Sequence, residues 1–276
     1  MITIAHGSPY MIWVPVKTST TVYNGSLVGW DTSAAADEGV LPLPAAAGVG
    51  NATNYDVPFG VVIGNNEKNP IYSTTYLAEG TTQGGTADPH GGPAREYVGL
   101  EGPWSKNEGT SFVKIAVITP STILRAPIRL GAIGTNITEL TATSGSASGV
   151  TATTNACGFT PVASMCTIYC RKGANAGVYR ITSDTSTTVA AWDVAMPADT
   201  AAGDVFVRVP IKIGHSYMQL GDSAVCSFID GSATPASNYW QVMVTRLDLR
   251  EKGKEFAEFY FIGTSFMPQL VSQATT

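Results

Sequence analysis

Four cysteines, Cys157, Cys166, Cys170 and Cys226, and three histidines, His6, His90 and His215, are the side chains of this 276-residue chain best suited to hold a metal or act as nucleophile and base. Cys166 and Cys170 lie four apart in Cys-Thr-Ile-Tyr-Cys. On a strand both point to one face about 13 Å apart, at about 3.3 Å per residue. That span forbids a disulfide between them. It also forbids a shared zinc unless the strand breaks, and the Cys-x-x-Cys pairs of zinc ribbons are missing. Buried reduced thiols are the expectation. The histidines are isolated in sequence, and His90 with Asp88 sits in a Gly-rich loop that cannot hold ligands without help from other elements. Two carboxylate pairs suggest acid–base work, Asp222 with Asp230 and Glu255 with Glu258. On strands, Asp222 and Asp230 stand too far apart for glycoside hydrolysis unless a turn folds them together. The chain holds no Gly-x-Ser-x-Gly elbow and no phosphate-cradling Gly loop. The expectation is a protein that is not an enzyme, with no catalytic residue, no metal and no cofactor.

Composition narrows the class further. Charged residues make up 13% of the chain, with 29 Gly and 16 Pro, against about 25% charged in ordinary soluble domains. A surface so poor in charge suits a protein covered by partners, although secreted β-proteins share the trait. The formal net charge of −5 is spread without runs, which leaves no electrostatic footprint for direct nucleic-acid binding. No window holds 18 consecutive apolar residues, and the first residues lack the basic-then-apolar order of a signal peptide. No membrane partner is expected, and the protein is expected to stay in the cytoplasm where it is made until assembly or lysis. The Asn-x-Ser/Thr triplets at Asn24, Asn51 and Asn136 then read as coincidences of a Ser- and Thr-rich chain.

The elements that would carry these residues are strands. Val22–Trp30, Pro58–Ile63 and Ile71–Leu77 are short runs of branched and aromatic residues fenced by Gly, Asp, Asn or Pro. Arg95–Leu100 is a further short strand. Ser111–Ile118 is almost wholly apolar and belongs inside a sheet; Thr122–Ile128 follows it after a Thr-Pro-Ser turn. Lys114 and Arg125, the rare charges here, read as strand ends or rim ion pairs. From Ile137 to Thr154 the composition shifts to Thr, Ser, Ala and Gly, which reads as a domain border or the extended entry to a second domain. Strands return at Cys166–Arg171, Gly177–Ser183, Thr187–Asp193 and Asp204–Val209, then at His215–Leu220, Ala224–Asp230, Tyr239–Leu249 and Glu255–Ile262. Leu247–Phe259 has some helical pattern, but Gly253 sits in its middle, so a charged-tip hairpin is predicted. The fold expected is all-β: a β-sandwich or barrel-like main domain from residues 1–136 and 211–276, with a small β-barrel domain inserted at 137–210.

Near the N-terminus, Ile4, Tyr10, Ile12 and Trp13 crowd large apolar groups into a short segment that also holds Pro9 and Pro15. Such a segment is either an edge strand of the chain's own sheet or an arm laid on a neighbour. These four residues are the candidate interface.

Gly25-Ser-Leu-Val-Gly-Trp-Asp-Thr32, a small-residue loop, and Pro58-Phe-Gly-Val-Val-Ile-Gly64 resemble the capsid decoration (cement) proteins of tailed phages. Gly177-Val-Tyr-Arg-Ile181 with Gly203-Asp-Val-Phe206 is similar to small β-barrel insertions of phage virion proteins. The resemblance implies a structural virion protein on the capsid exterior, with the major capsid protein as partner. It also implies self-association, with a trimer favoured. A tail-tube or head-fibre component is the alternative within a virion. A glycan-binding β-sandwich is the alternative from another class, for which Trp104, Trp192 and Trp240 are candidate platforms.

Overall fold

A computed structural model describes residues 1–15, 21–30, 40–43, 58–65, 81–82, 112–147, 149–152, 162, 165–186, 189–192, 194–223, 226–237 and 239–262. Its strands, in chain order, begin with β1 (Thr3–His6), β2 (Met11–Pro15), β3 (Thr21–Val22), β4 (Leu27–Trp30), β5 (Val40–Pro42), β6 (Gly60–Asn65) and β7 (Thr81–Thr82). The middle of the chain gives β8 (Phe112–Val117), β9 (Ile123–Arg129), β10 (Glu139–Ser146), β11 (Gly149–Ala152), β12 (Thr167–Lys172), β13 (Gly177–Ser186), β14 (Val189–Trp192) and β15 (Val205–Val209). The last part gives β16 (Gly214–Met218), β17 (Leu220–Ser223), β18 (Cys226–Asp230), β19 (Trp240–Asp248) and β20 (Phe256–Phe261). Among the described residues there is no helix. The chain is all-β, with a closed barrel and several open sheets. The strands expected at Ile71–Leu77 and Arg95–Leu100 lie outside the described residues.

Two compact units share the chain. The first comprises Met1–Leu124, Asp222–Ser227 and Phe261–Thr276. It holds a five-stranded sheet in the order β2-β8-β6-β4-β5, antiparallel throughout. The apolar run of β8 takes an interior place, as its composition predicts, because a strand covered on both faces has no use for polar alternation. Val14, Val22, Val28, Val40, Val62, Val113 and Ile115 form the core beneath it. Trp30 and Phe59 meet edge to face at 5.7 Å. Gly60 is required where β6 meets β8, since a Cβ there would stand 2.9 Å from the Ala116 carbonyl oxygen. The turn before β4 is closed by Gly25, whose φ of +81° suits glycine. Its N–H donates to Val62 O at 2.7 Å, and its carbonyl accepts from Ile2 N at 3.2 Å.

The second unit comprises Arg125–Gly221 and Phe228–Tyr260. Its barrel closes in the order β10-β11-β14-β13-β12-β15, with β15 returning to β10 through Glu139↔Val207 and Leu140↔Phe206. Closure removes exposed strand edges. Register shifts in the β10–β11, β12–β15 and β13–β14 pairs supply bends that so small a barrel needs. Leu140, Ala142, Cys166, Ile168, Cys170, Met196 and Phe206 fill the interior.

The Thr/Ser/Ala/Gly stretch holds the first two barrel strands, β10 and β11. Leu140 and Ala142 point inward while Thr141 and Thr143 face out. Only Leu140 and Ala142 of β10 are buried, and Thr takes the outward places between and after them, so the alternation is short and weak in large residues.

Of the other two sheets, β3 and β7 form a two-stranded one, and the larger follows the path β16-β19-β20-β9-β18-β17. β16 and β19 pair antiparallel from Gly214↔Val244 to Met218↔Trp240, whereas β18 and β9 are parallel. β19 and β20 are the predicted charged-tip hairpin. Gly253 stands in its tip with φ +79°, which denies the helix and favours the turn.

Candidate functional site

Buried charge gathers around that hairpin tip. In β12, Cys170 points into the barrel, so Arg171 points out. Its guanidinium donates from Nε to Leu249 O at 2.7 Å, from Nη1 to Glu139 Oε1 at 2.8 Å and from Nη2 to Glu255 Oε1 at 2.5 Å. Glu139 faces out for the same reason, one residue before the inward Leu140. The Glu255 side chain is 0% exposed and that of Arg171 only 7%. On the other side, Arg129 donates from Nη2 to Gly253 O at 2.8 Å and from Nη1 to Ile128 O at 2.6 Å. Its Nη1 lies 3.5 Å from Glu255 Oε2. That oxygen makes no hydrogen bond, so its compensation is the ion pair alone. Lys252 Nζ reaches Glu139 Oε2 at 3.0 Å.

The two arginines therefore grip the carbonyls of Leu249 and Gly253 on the two arms of the tip, and Glu255 is held between them. Chemically the arrangement is a joint that fixes the hairpin to the barrel. The Arg171 hydrogen bond holds the Glu139 carboxyl below its ordinary value, against the opposing effect of burial, with Lys252 adding to the lowering.

A second charged group lies on the same hairpin. Arg125 donates to Glu258 Oε1 from Nε at 3.0 Å and from Nη2 at 2.5 Å, the rim ion pair its position predicts. Arg250 binds Asp248 through both carboxylate oxygens, at 3.0 and 2.5 Å. That hydrogen bond is the main cause holding the Asp248 carboxyl below its ordinary value.

The residues singled out in the sequence are placed as follows. Cys166 and Cys170 are both buried thiols of the barrel core. Burial first, and the Asp204 carboxylate second, push the Cys170 thiol up. The side chains of Cys226 and Asp222, and the residues Cys157, Asp88, His90 and Trp104, lie outside the description. His6 is exposed at the end of β1. His215 is exposed on β16, its ring tilted against Tyr217 at 5.2 Å. Glu255 and Glu258 do not form an acid pair: three residues apart on an extended chain they face opposite ways, one to Arg171 and the other to Arg125. Asp230 instead caps a turn, accepting from Gly131 N and Ser232 N. Trp240 is buried in the core, which removes it as a sugar platform; the Trp192 side chain is not described. Among the described residues no group of three His, Cys, Asp or Glu is placed to hold a metal.

The four candidate interface residues divide. β2 is the terminal strand of its sheet and pairs with β8 along its whole length, from Met11↔Ala116 to Pro15↔Phe112. Ile12 packs on that sheet's own core, and Ile4 and Trp13 are half-buried. Tyr10 is 80% exposed and Met11, which the sequence reading passed over, is 53% exposed. The signal for Met11 was its place beside Tyr10, opposite in facing to Ile12.

In comparisons with known proteins, no family model, no curated protein and no solved structure matches the chain.

Proposed function

We propose that this protein is a structural component of a tailed-phage virion that binds the outside of the capsid shell and stabilises it. The observation that carries the reading is the terminal strand β2, with Tyr10 and Met11 exposed beside an edge that no described strand pairs with. Such an edge is a template for main-chain pairing with another chain. Burying a large apolar side chain is worth roughly 1.5–3 kcal/mol, and β2 is already ordered by β8, so little further backbone entropy opposes docking. Each contact is modest, and repetition around a shell multiplies it. The low charge content and the rigid sheets suit the same role, with the major capsid protein as partner and closed self-association, a trimer first, as the assembly.

The test is co-sedimentation of the purified protein with DNA-free shells of the virion's own major capsid protein. The expected result is saturable binding at micromolar protein, weakened at least tenfold by Tyr10→Ser with Met11→Ser. Absence of binding at that concentration, or undiminished binding by the double variant, rejects the reading or its edge.

A further inference from the structure

We propose that the face of β9, β19 and β20 around Phe256 is a docking surface for an acidic segment of a partner protein. This inference does not depend on the virion reading. Arg125 and Arg246 flank one aromatic ring, their guanidinium carbons 4.7 and 5.2 Å from the Phe256 centroid. Both lean on one carboxylate, Glu258, with Arg125 at 2.5 Å and Arg246 at 3.7 Å from Oε1. A second carboxylate, Asp248, is taken by Arg250 at 2.5 Å and stands 3.6 Å from Arg246, while the neighbouring Glu251 is neutralised by Lys254 at 2.7 Å. Three guanidiniums thus share two carboxylates, and Arg246 is the one whose nearest acidic oxygens lie beyond hydrogen-bonding distance. The three arginine side chains are 44, 50 and 70% exposed.

Stacking on the ring holds the Arg125 and Arg246 forks in place, so less rotamer freedom is lost when an anion arrives. A carboxylate is the fitting group, since a guanidinium offers it two parallel N–H donors. Beside the arginines a recess of about 440 Å³ is lined by Asp248, Arg250, Glu251, Lys254 and Phe256. It can seat a side chain next to the one that pairs with Arg246. The chain as a whole is acidic, at −5, so an acidic partner is repelled elsewhere and steered here. One excess positive charge is too little for a nucleic-acid backbone, which calls for many phosphate contacts.

The experiment measures fluorescence anisotropy of labelled hexaglutamate with the full chain at 50 and 500 mM NaCl, with hexalysine and inorganic phosphate as comparisons. Hexaglutamate should bind, about fivefold or more weaker at the higher salt, and Arg246→Gln should weaken it about threefold with the melting temperature unchanged. If Arg246→Gln lowers the melting temperature, Arg250→Gln takes its place with the same expected loss. No hexaglutamate binding, equal binding by the folded variant, or binding of hexalysine as tight as hexaglutamate overturns the proposal. Displacement of hexaglutamate by equimolar phosphate also overturns it, by making the face a small-anion site.

Discussion

Replacing Arg171 with Met tests the joint at the hairpin tip. The substitution keeps most of the side-chain stem and removes three hydrogen bonds, to Leu249 O, Glu139 and Glu255. Glu139 is 28% exposed and keeps Lys252 at 3.0 Å, so its loss is small. Glu255 is fully buried and is left with Arg129 alone at 3.5 Å. Removing one partner of a buried ion pair costs about 3–5 kcal/mol, because the other charge stays desolvated. Summing hydrogen bonds to charged groups at about 1.5–3 kcal/mol each gives a larger figure. That sum counts the same desolvation more than once, so the lower range is used. For a unit of this size, with about 4 °C per kcal/mol, the melting temperature should drop by about 12–20 °C. The assay is thermal and urea unfolding followed by circular dichroism. Arg171→Met with Glu255→Leu should recover most of the loss, since an apolar pair leaves no orphan charge. A single-variant cost below about 1 kcal/mol, or a double variant no better than the single, refutes the reasoning.

Acid should weaken the fold in a defined window. Glu139 and Asp248 have folded-state values below their ordinary 4.5 and 3.8. The stability they contribute is therefore present above those values and lost as pH falls through the lowered ones. The melting temperature should be level from pH 7 to about 5 and decline below about 4.5, less steeply in Glu139→Gln. Cys170, raised above its ordinary 9.0, should resist iodoacetamide at pH 8 in the native protein. Peptide mass mapping should find it alkylated only after unfolding in urea. Gly173→Ala should cost about 1–3 kcal/mol, because φ is +134° and the new Cβ would lie 2.4 Å from Asp204 Oδ1. Gly203→Ala, with φ +92° and nothing within 4 Å, should cost less in the same urea titration.

Most strands were legible because their burial follows period two in large residues, as in β19, where Trp240, Val242 and Val244 alternate inward. Gly253 decided correctly between helix and hairpin. β10 was hidden because its inward places are only Leu140 and Ala142 with Thr between them, and propensity in such runs says little when tertiary packing decides. The ion cluster was hidden for a different reason. Glu139, Arg171 and Glu255 are distant in sequence, and only the closed barrel with the hairpin against it brings them together. One trace was readable: Arg171 follows an inward Cys in a chain otherwise sparing of charge. The Glu255 and Glu258 pairing misled because nearness in sequence ignored strand facing. At the N-terminus, the crowding of apolar residues did not separate the side chains that pack inward from Tyr10 and Met11, which are exposed.

Truncating the first 13 residues would remove β1 and much of β2, including the buried Ile2, and would mix stability with binding. The most direct measurement is cryo-electron microscopy of DNA-free capsid shells incubated with the intact protein. Density for this all-β chain at symmetry-related sites on the outer surface, with β2 facing the shell or a neighbouring copy, is the result expected. Bare shells at saturating protein, or density with β2 turned to solvent, would contradict the account.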